Sequence, residues 1–248
     1  MDERGEALVV IPARWASSRF PGKALADLNG RPLVVRVAER AAGMREAGAV
    51  VVATDDPRIR EAVTAHGFAC ELTGEHATGT DRVGEVARRR PQFPWIVNLQ
   101  GDEPLLDPVD ADRLVAALRA DADAALATLA HPLAGPQEWR DPNCVKVLLD
   151  RRGRALYFSR AALPGAFPGA DPAGDRLALR HVGIYAWRRA ALLRFLDLPR
   201  TPLESAEGLE QLRALEHGLG IAVARTERRA VGVDTPEDLE RVRRLWPA

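Results

Sequence analysis

Hydrophobic positions along the chain fall into short clusters with two alternating periods. Leu8–Ile11 is a continuous apolar run of strand length. From Pro32 to Arg45 the apolar positions return at helical spacing, with Leu33, Val34, Val37 and Ala41 on one face. Ala49–Ala53 reads as a second strand. Asp56-Pro57 then sets a capping side chain before a proline suited to the first helical position. Phe68–Leu72 is a short strand, Asp81–Arg89 a helix and Trp95–Leu99 a buried strand; Asp107-Pro108 opens a helix that runs to about Arg119.

The second half changes character. Ala124–Ala130 and Val145–Leu149 have strand patterns, and the turn Asp150-Arg151-Arg152-Gly153 leads into Ala155–Ser159 as a hairpin. Pro164–Asp175 is rich in Pro, Gly, Ala and Asp without periodicity, which predicts a mobile loop and a candidate lid. Arg180–Trp187 is a strand. Thr201-Pro202-Leu203-Glu204 has capping-box spacing, and the helical pattern after it includes Leu209, Leu212 and Leu215. Ile221–Ala224 is a strand, and Thr235-Pro236-Glu237-Asp238 starts a C-terminal helix with Leu239, Val242 and Leu245 on one face. With no repeat and no linker, the pattern predicts a single α/β domain over residues 1–248. Its central sheet is mostly parallel, with an antiparallel excursion in the second half.

Composition narrows the partners. With 46% hydrophobic residues the chain can fill a sizeable core, and its 35 basic and 35 acidic side chains cancel. A formal net charge of zero gives no general attraction to nucleic acid or to a membrane surface. No apolar run reaches the roughly 18 residues of a membrane span. Asp2, Glu3 and Glu6 at the N-terminus do not begin a signal peptide, so a cytoplasmic location is expected. Cys70 and Cys144 lie far apart and read as buried thiols in a reducing compartment, and the five histidines show no metal-ligand spacing.

Four segments carry candidate chemistry. The first strand ends in a loop with Arg14, Arg19 and Lys23, three cations at the strand end where open α/β sheets bind ligands. Only Lys23 and Lys146 among the 35 basic residues are lysine, so a compact ammonium rather than a planar guanidinium is expected at Lys23. The loop is neither a Walker A sequence nor a three-glycine dinucleotide fingerprint. Asn98-Leu99-Gln100-Gly101-Asp102-Glu103-Pro104 follows the most apolar strand. Asp102 suits Mg²⁺, which takes one or two carboxylates beside phosphate and water oxygens, and the Gln100 amide suits a base edge. Thr78-Gly79-Thr80-Asp81-Arg82 opens a helix whose free N–H groups suit an anion or a carbonyl oxygen. Asp234, before the C-terminal helix, offers a second carboxylate for metal, although a plain helix-start aspartate has the same pattern.

Taken together, IPARWASSRFPGKAL, VVATDD, TGTDR, IVNLQGDEP, DPNCVKVLLD, ALYFSRAALP, RHVGIYAW, PLESAEGLEQLR and GVDTPEDLERV resemble the 3-deoxy-manno-octulosonate cytidylyltransferases, or CMP-Kdo synthetases, almost end to end. The resemblance implies a Rossmann-like nucleotidyltransferase fold. It implies transfer of CMP from CTP to the anomeric hydroxyl of Kdo, an acidic 2-keto-3-deoxy sugar, with release of pyrophosphate. It also implies Mg²⁺, a homodimer and a role in lipopolysaccharide synthesis, with residues about 130–225 forming the sugar site and dimerisation elaboration.

By the same resemblance Arg14, Arg19 and Lys23 bind the triphosphate, and Thr80, Arg82 and Gln100 line the cytidine pocket. Asp102 and Asp234 hold the metal, so that Arg14, Lys23, Asp102 and Asp234 are the catalytic set. Arg160, His181, Tyr185, Glu210 and Gln211 face the sugar acid. Asp81, Ser205 and Ala186-Trp187 depart from the family's commoner residues, which keeps 8-amino-Kdo open as a substrate; sialic acid is the nearest rival, against which Arg180-His181 and Glu210-Gln211 favour Kdo. A non-catalytic nucleotide-binding protein is a further alternative. Lys146 fits either a place beside the sugar pocket or a structural ion pair.

Overall fold

The computed structural model describes residues 6–16, 20–165, 177–229 and 231–246. Its first half runs β1 (Ala7–Ala13), a 3-10 turn at Lys23–Leu25, a small hairpin of β2 (Asp27–Leu28) and β3 (Arg31–Pro32), then α1 (Leu33–Ala42). It continues through β4 (Ala47–Thr54), α2 (Pro57–Ala65), β5 (Ala69–Leu72), α3 (Gly79–Arg89), β6 (Trp95–Asn98) and α4 (Pro108–Ala120). The caps are those the sequence predicts. Asp56 and Asp107 accept the N–H two residues on, and Thr78 and Asp81 form a reciprocal capping box on α3.

The second half comprises β7 (Ala124–Pro132), α5 (Pro136–Arg140), the hairpin β8 (Lys146–Leu149) and β9 (Ala155–Ser159), and the long β10 (Leu179–Arg188). After it come α6 (Arg189–Leu196), α7 (Pro202–Glu207), α8 (Gln211–Glu216), β11 (Gly220–Arg225) and α9 (Pro236–Leu245). The main sheet has the order β11-β7-β10-β6-β1-β4-β5. Every pairing along it is parallel except those of β10, which runs antiparallel to both β6 and β7. The β8–β9 hairpin joins the start of β10 through Leu179↔Val147 and Arg180↔Lys146. This is the antiparallel excursion expected of the second half.

Strand β1 shows why the apolar runs are continuous. Ala7, Val9, Ile11 and Ala13 enter the core on one face, with α1 and α4, while Leu8 and Val10 enter the other, with α3 and α6. From β1 the chain runs outward to β4 and β5 and then crosses back to β6 on the other side of β1, so the strand order reverses at β1. A crevice therefore opens at the carboxyl ends of β1 and β6.

Two expectations need correction, and one short helix is additional to them. The helical pattern after Thr201 is not one helix: Gly208, at φ 62°, closes α7 with its N–H on the Glu204 carbonyl, and α8 starts three residues later. Leucine spacing cannot register that break, since Leu209, Leu212 and Leu215 pack into or against one core cluster. Pro136–Arg140 forms a short helix with no buried residue, so its apolar spacing carries no signal. Cys70 is half-buried, unlike the buried Cys144, because β5 is the edge strand of the sheet. The expected lid lies mainly in 166–176, outside the described residues, as does Arg19.

Candidate active site

The crevice is lined by Pro12 and Ala13 at the end of β1 and Arg14 just after it, Lys23 and Ala24 from the turn, His76 to Gly79 and Arg82 around the start of α3, and Gln100 to Asp102 after β6. Gly101 permits the two strand ends to approach: a Cβ there would lie 3.0 Å from the Pro12 carbonyl oxygen. The opening loop is pinned from outside. The Trp15 ring packs on Gly22, which has a left-handed φ of 72°, and the Arg58 guanidinium stacks 3.5 Å from the Trp15 ring centroid.

Lys23 is the centre of the site. Its ammonium donates to Asp102 Oδ2 at 2.7 Å, to the Val233 carbonyl at 2.8 Å and to Asp234 Oδ1 at 3.4 Å. Three acceptors converging on one atom suit the three-donor ammonium and not a planar guanidinium. Asp234 arrives from the far end of the chain by packing. Leu239 and Val242 of α9 and Val233 are buried against Leu28 and Leu33, and the Val233 N–H donates to the Asp102 carbonyl at 2.9 Å.

Among the described residues, no group of three or more His, Cys, Asp or Glu side chains gathers as a metal site. Asp102 and Asp234 nevertheless reach one common cation, the Lys23 ammonium, and remain partly open to solvent. Two convergent carboxylates fit Mg²⁺, whose other ligands are typically substrate phosphates and water. Next to them, burial and then the Asp102 charge push the Glu103 carboxyl up to about 8.

The predicted nucleotide residues divide. Arg14 is exposed at the crevice, and Gln100 lines it with its amide 3.4 Å from Asn98 Oδ1. Arg82 also lines the crevice but is almost fully buried. It donates to Asp55 Oδ2 at 2.7 Å and to the Thr73 hydroxyl, which fixes its guanidinium. Thr80 is not among the cavity-lining side chains. It is buried and donates to Glu210 Oε2 at 2.5 Å, so it joins α3 to the residues predicted to face the sugar.

Of those residues, the structure brings together His181, Tyr185 and Glu210. The His181 and Tyr185 rings lie 5.6 Å apart on β10, and Phe158 meets His181 edge-on at 4.9 Å. Burial pushes the imidazole down to about 3. Burial and the nearby Glu210 raise the Tyr185 phenol. The Glu210 carboxyl is likewise raised by burial, against the lowering effect of the Thr80 hydroxyl. The break at Gly208 turns Glu210 toward Thr78 and Thr80, where one continuous helix would set a different direction. Gln211 is buried, and its Nε2 has no partner among the described residues.

Arg160 is held by other partners. Its Nε donates to the Glu207 carbonyl at 2.8 Å and its Nη1 to the Pro142 carbonyl at 3.1 Å. Lys146 resolves as a structural cation. Fully buried, it donates to the carbonyls of Asp141, Cys144 and Arg160 at 2.8, 2.6 and 2.6 Å, with no carboxylate among these partners. Sequence reasoning missed Glu207, whose carboxylate accepts from Ser159 Oγ at 2.5 Å and the Arg160 N–H at 2.9 Å. It also missed Asp55, the partner of Arg82. Both lie inside the quoted motifs, which was the available signal.

A basic loop and two convergent carboxylates at the strand ends of such a sheet define a nucleotide-transferring site, and a family model described as cytidylyltransferase matches residues 8–225. A 3-deoxy-manno-octulosonate cytidylyltransferase of Anaeromyxobacter sp. (strain Fw109-5) is 52% identical over 241 residues, covering 97% of this chain and 96% of the relative. One from Syntrophotalea carbinolica is 52% identical over 240 residues, covering 94% and 95%. The chain belongs to the 3-deoxy-manno-octulosonate cytidylyltransferase family. Its fold matches the solved structure of a CMP:2-keto-3-deoxy-manno-octonic acid synthetase complexed with CTP. The TM-score is 0.90 at 42% identity, over 97% of this chain and 98% of that one. A 4-diphosphocytidyl-2C-methyl-D-erythritol synthase from Anaerococcus prevotii, 12% identical with a TM-score of 0.64 over 98% and 96%, shares the fold alone.

Proposed function

We propose that the protein transfers CMP from CTP to the anomeric hydroxyl of Kdo, giving CMP-Kdo and pyrophosphate. The observation that carries this reading is the Lys23 ammonium held between Asp102 and Asp234 at the strand ends, in a chain whose full-length relatives carry that activity in their names.

In this reading Arg14, Arg19 and Lys23 neutralise the triphosphate, and Arg82 and Gln100 form the cytidine side, with the buried Thr80 tying that side to Glu210. Asp102 and Asp234 hold Mg²⁺, which supplies charge for the phosphate and lowers the pKa of the sugar hydroxyl when bound. The sugar hydroxyl gives up its proton to solvent, its oxygen forms a bond to the α-phosphorus, and the bond to pyrophosphate breaks. The protein's part is mainly alignment and neutralisation of charge on the leaving group. Arg82, locked by Asp55, and Lys23, locked by three oxygens, are pre-organised for that work.

Arg160, His181, Tyr185, Glu210 and Gln211 bind the sugar acid. His181 is neutral near pH 7, so the substrate carboxylate is left to a guanidinium. On the family resemblance, we further propose a single catalytic domain that works as a cytoplasmic homodimer and supplies activated Kdo for lipopolysaccharide synthesis. The test is pyrophosphate release with CTP and Mg²⁺ against Kdo, 8-amino-Kdo and sialic acid. Preference for Kdo is expected. Preference for another acid reassigns the sugar, and CTP binding without turnover on any of them overturns the reading.

A further inference from the structure

Thr128, on β7, is fully buried at the place where the pairing of β10 with β7 shifts register between Val182 and Tyr185. Its hydroxyl oxygen lies 2.8 Å from the Ile184 carbonyl, 3.1 Å from the Val182 carbonyl and 2.9 Å from His181 Nε2. A hydroxyl has one proton and two lone pairs. Two carbonyl oxygens can only accept, so the proton goes to them. If it went to the imidazole instead, the Thr128 oxygen would face two carbonyl lone pairs inside the core without a proton between them.

His181 Nε2 must then be the donor to Thr128. With the ring neutral, its one proton is on Nε2 and Nδ1 is a bare acceptor. Among the described residues no hydrogen bond is made by Nδ1, and Phe158 and Tyr185 hold the ring plane from two sides.

We propose that Thr128 is a positioning residue: it fixes His181 as the Nε2–H tautomer, so that Nδ1 accepts a hydrogen bond from a hydroxyl of the sugar acid. The substrate half of this rests on the reading of the site as a Kdo pocket. A bare ring nitrogen repels a carboxylate and accepts from a hydroxyl, so His181 selects for the polyhydroxyl side of the substrate. Thr128, which makes no substrate contact in this scheme, enters specificity through that choice.

The test combines nitrogen-15 NMR of histidine-labelled protein with kinetics, using His181→Ala to assign the ring signals. In the wild type the ring is expected to show a protonated Nε2 and a pyridine-type Nδ1. Thr128→Val keeps the shape and removes the hydroxyl. It should lose that pattern and raise KM for the sugar acid about tenfold, the loss of one hydrogen bond, with KM for CTP unchanged. Thr128→Ser should restore both. A wild-type ring protonated on Nδ1 overturns the proposal, as does an Nε2–H tautomer that persists in Thr128→Val. Equal rises in both KM values that Ser does not repair mean a structural role only, and likewise overturn it. Should Thr128→Val fail to fold, the wild-type spectrum and Thr128→Ser decide. If His181→Ala leaves the sugar KM unchanged while the wild-type ring is Nε2–H, the sugar-pocket placement fails and the tautomer assignment stands.

Discussion

Lys23 Nζ lies 2.7 Å from Asp102 Oδ2, an ion pair that joins residues 79 positions apart and ties the loop after β1 to the loop after β6. The carbonyl of Val233 and the carboxylate of Asp234 complete the acceptor set, so one ammonium gathers three separate segments of chain. A site of this kind needs a small cation that is strongly hydrated when free and fully ligated when folded.

Lys23→Arg keeps the charge but spreads it over a plane that cannot meet all three oxygens. Turnover is expected to fall about a hundredfold, comparable to losing one charge-stabilising donor. Pyrophosphate release, with circular dichroism as the check on folding, reads this out. Full activity in the variant would show that the ammonium geometry is not needed.

Asp102→Asn removes one of two carboxylates aimed at a common cation while keeping the side-chain shape. Turnover at saturating Mg²⁺ is expected to drop by about 10²–10³-fold. The thermal midpoint should barely move, since Asp102 is only partly buried. Near-normal turnover would rule out its role at the metal.

Lys146→Met leaves three carbonyl oxygens, buried or partly buried, without their shared donor. Unfolding in urea is expected to show a loss of about 3 kcal/mol, the upper range for a charged hydrogen-bond donor. KM for the sugar acid should rise more than KM for CTP, because one of those carbonyls belongs to Arg160. Equal effects on the two substrates would separate Lys146 from the sugar side.

Glu204 and Arg213 form a buried two-point ion pair, at 2.8 and 2.6 Å, that locks α7 to α8 across Gly208. Burial, the largest single effect, raises the Glu204 carboxyl, but the Arg213 hydrogen bonds, the Arg213 charge and the Thr201 N–H together outweigh it, and the net shift is below the ordinary 4.5. A folded-state value lower than the unfolded one adds stability that is complete above pH 4.5 and lost as pH falls through the folded value. Glu204→Gln should be less stable by about 3 kcal/mol near neutrality. The gap to wild type should close in urea titrations carried progressively below pH 4.5; a gap independent of pH would place the effect in packing rather than charge.

Local pattern was enough for most of the elements. The apolar runs of β1, β4 and β6, and the Asp-Pro and Thr-x-x-Asp starts of α2, α3, α4 and α9, are read directly, because strand burial and capping depend on neighbours a few residues away. The break between α7 and α8 was not legible, since it depends on Gly208 taking a left-handed conformation that the leucine spacing does not encode.

At the site, the sequence by itself singled out Lys23, Asp102 and Asp234 as residue types suited to phosphate and metal, and the rarity of lysine pointed to an ammonium. Only the tertiary structure decided that these three share one set of contacts, and that the other lysine serves three backbone carbonyls. It also decided that Thr80 faces Glu210 and that the Thr128 hydroxyl meets His181 Nε2. The reason is physical: a side chain's chemistry is set by its composition, but its protonation, tautomer and partners are set by what long-range packing leaves within about 3 Å of it.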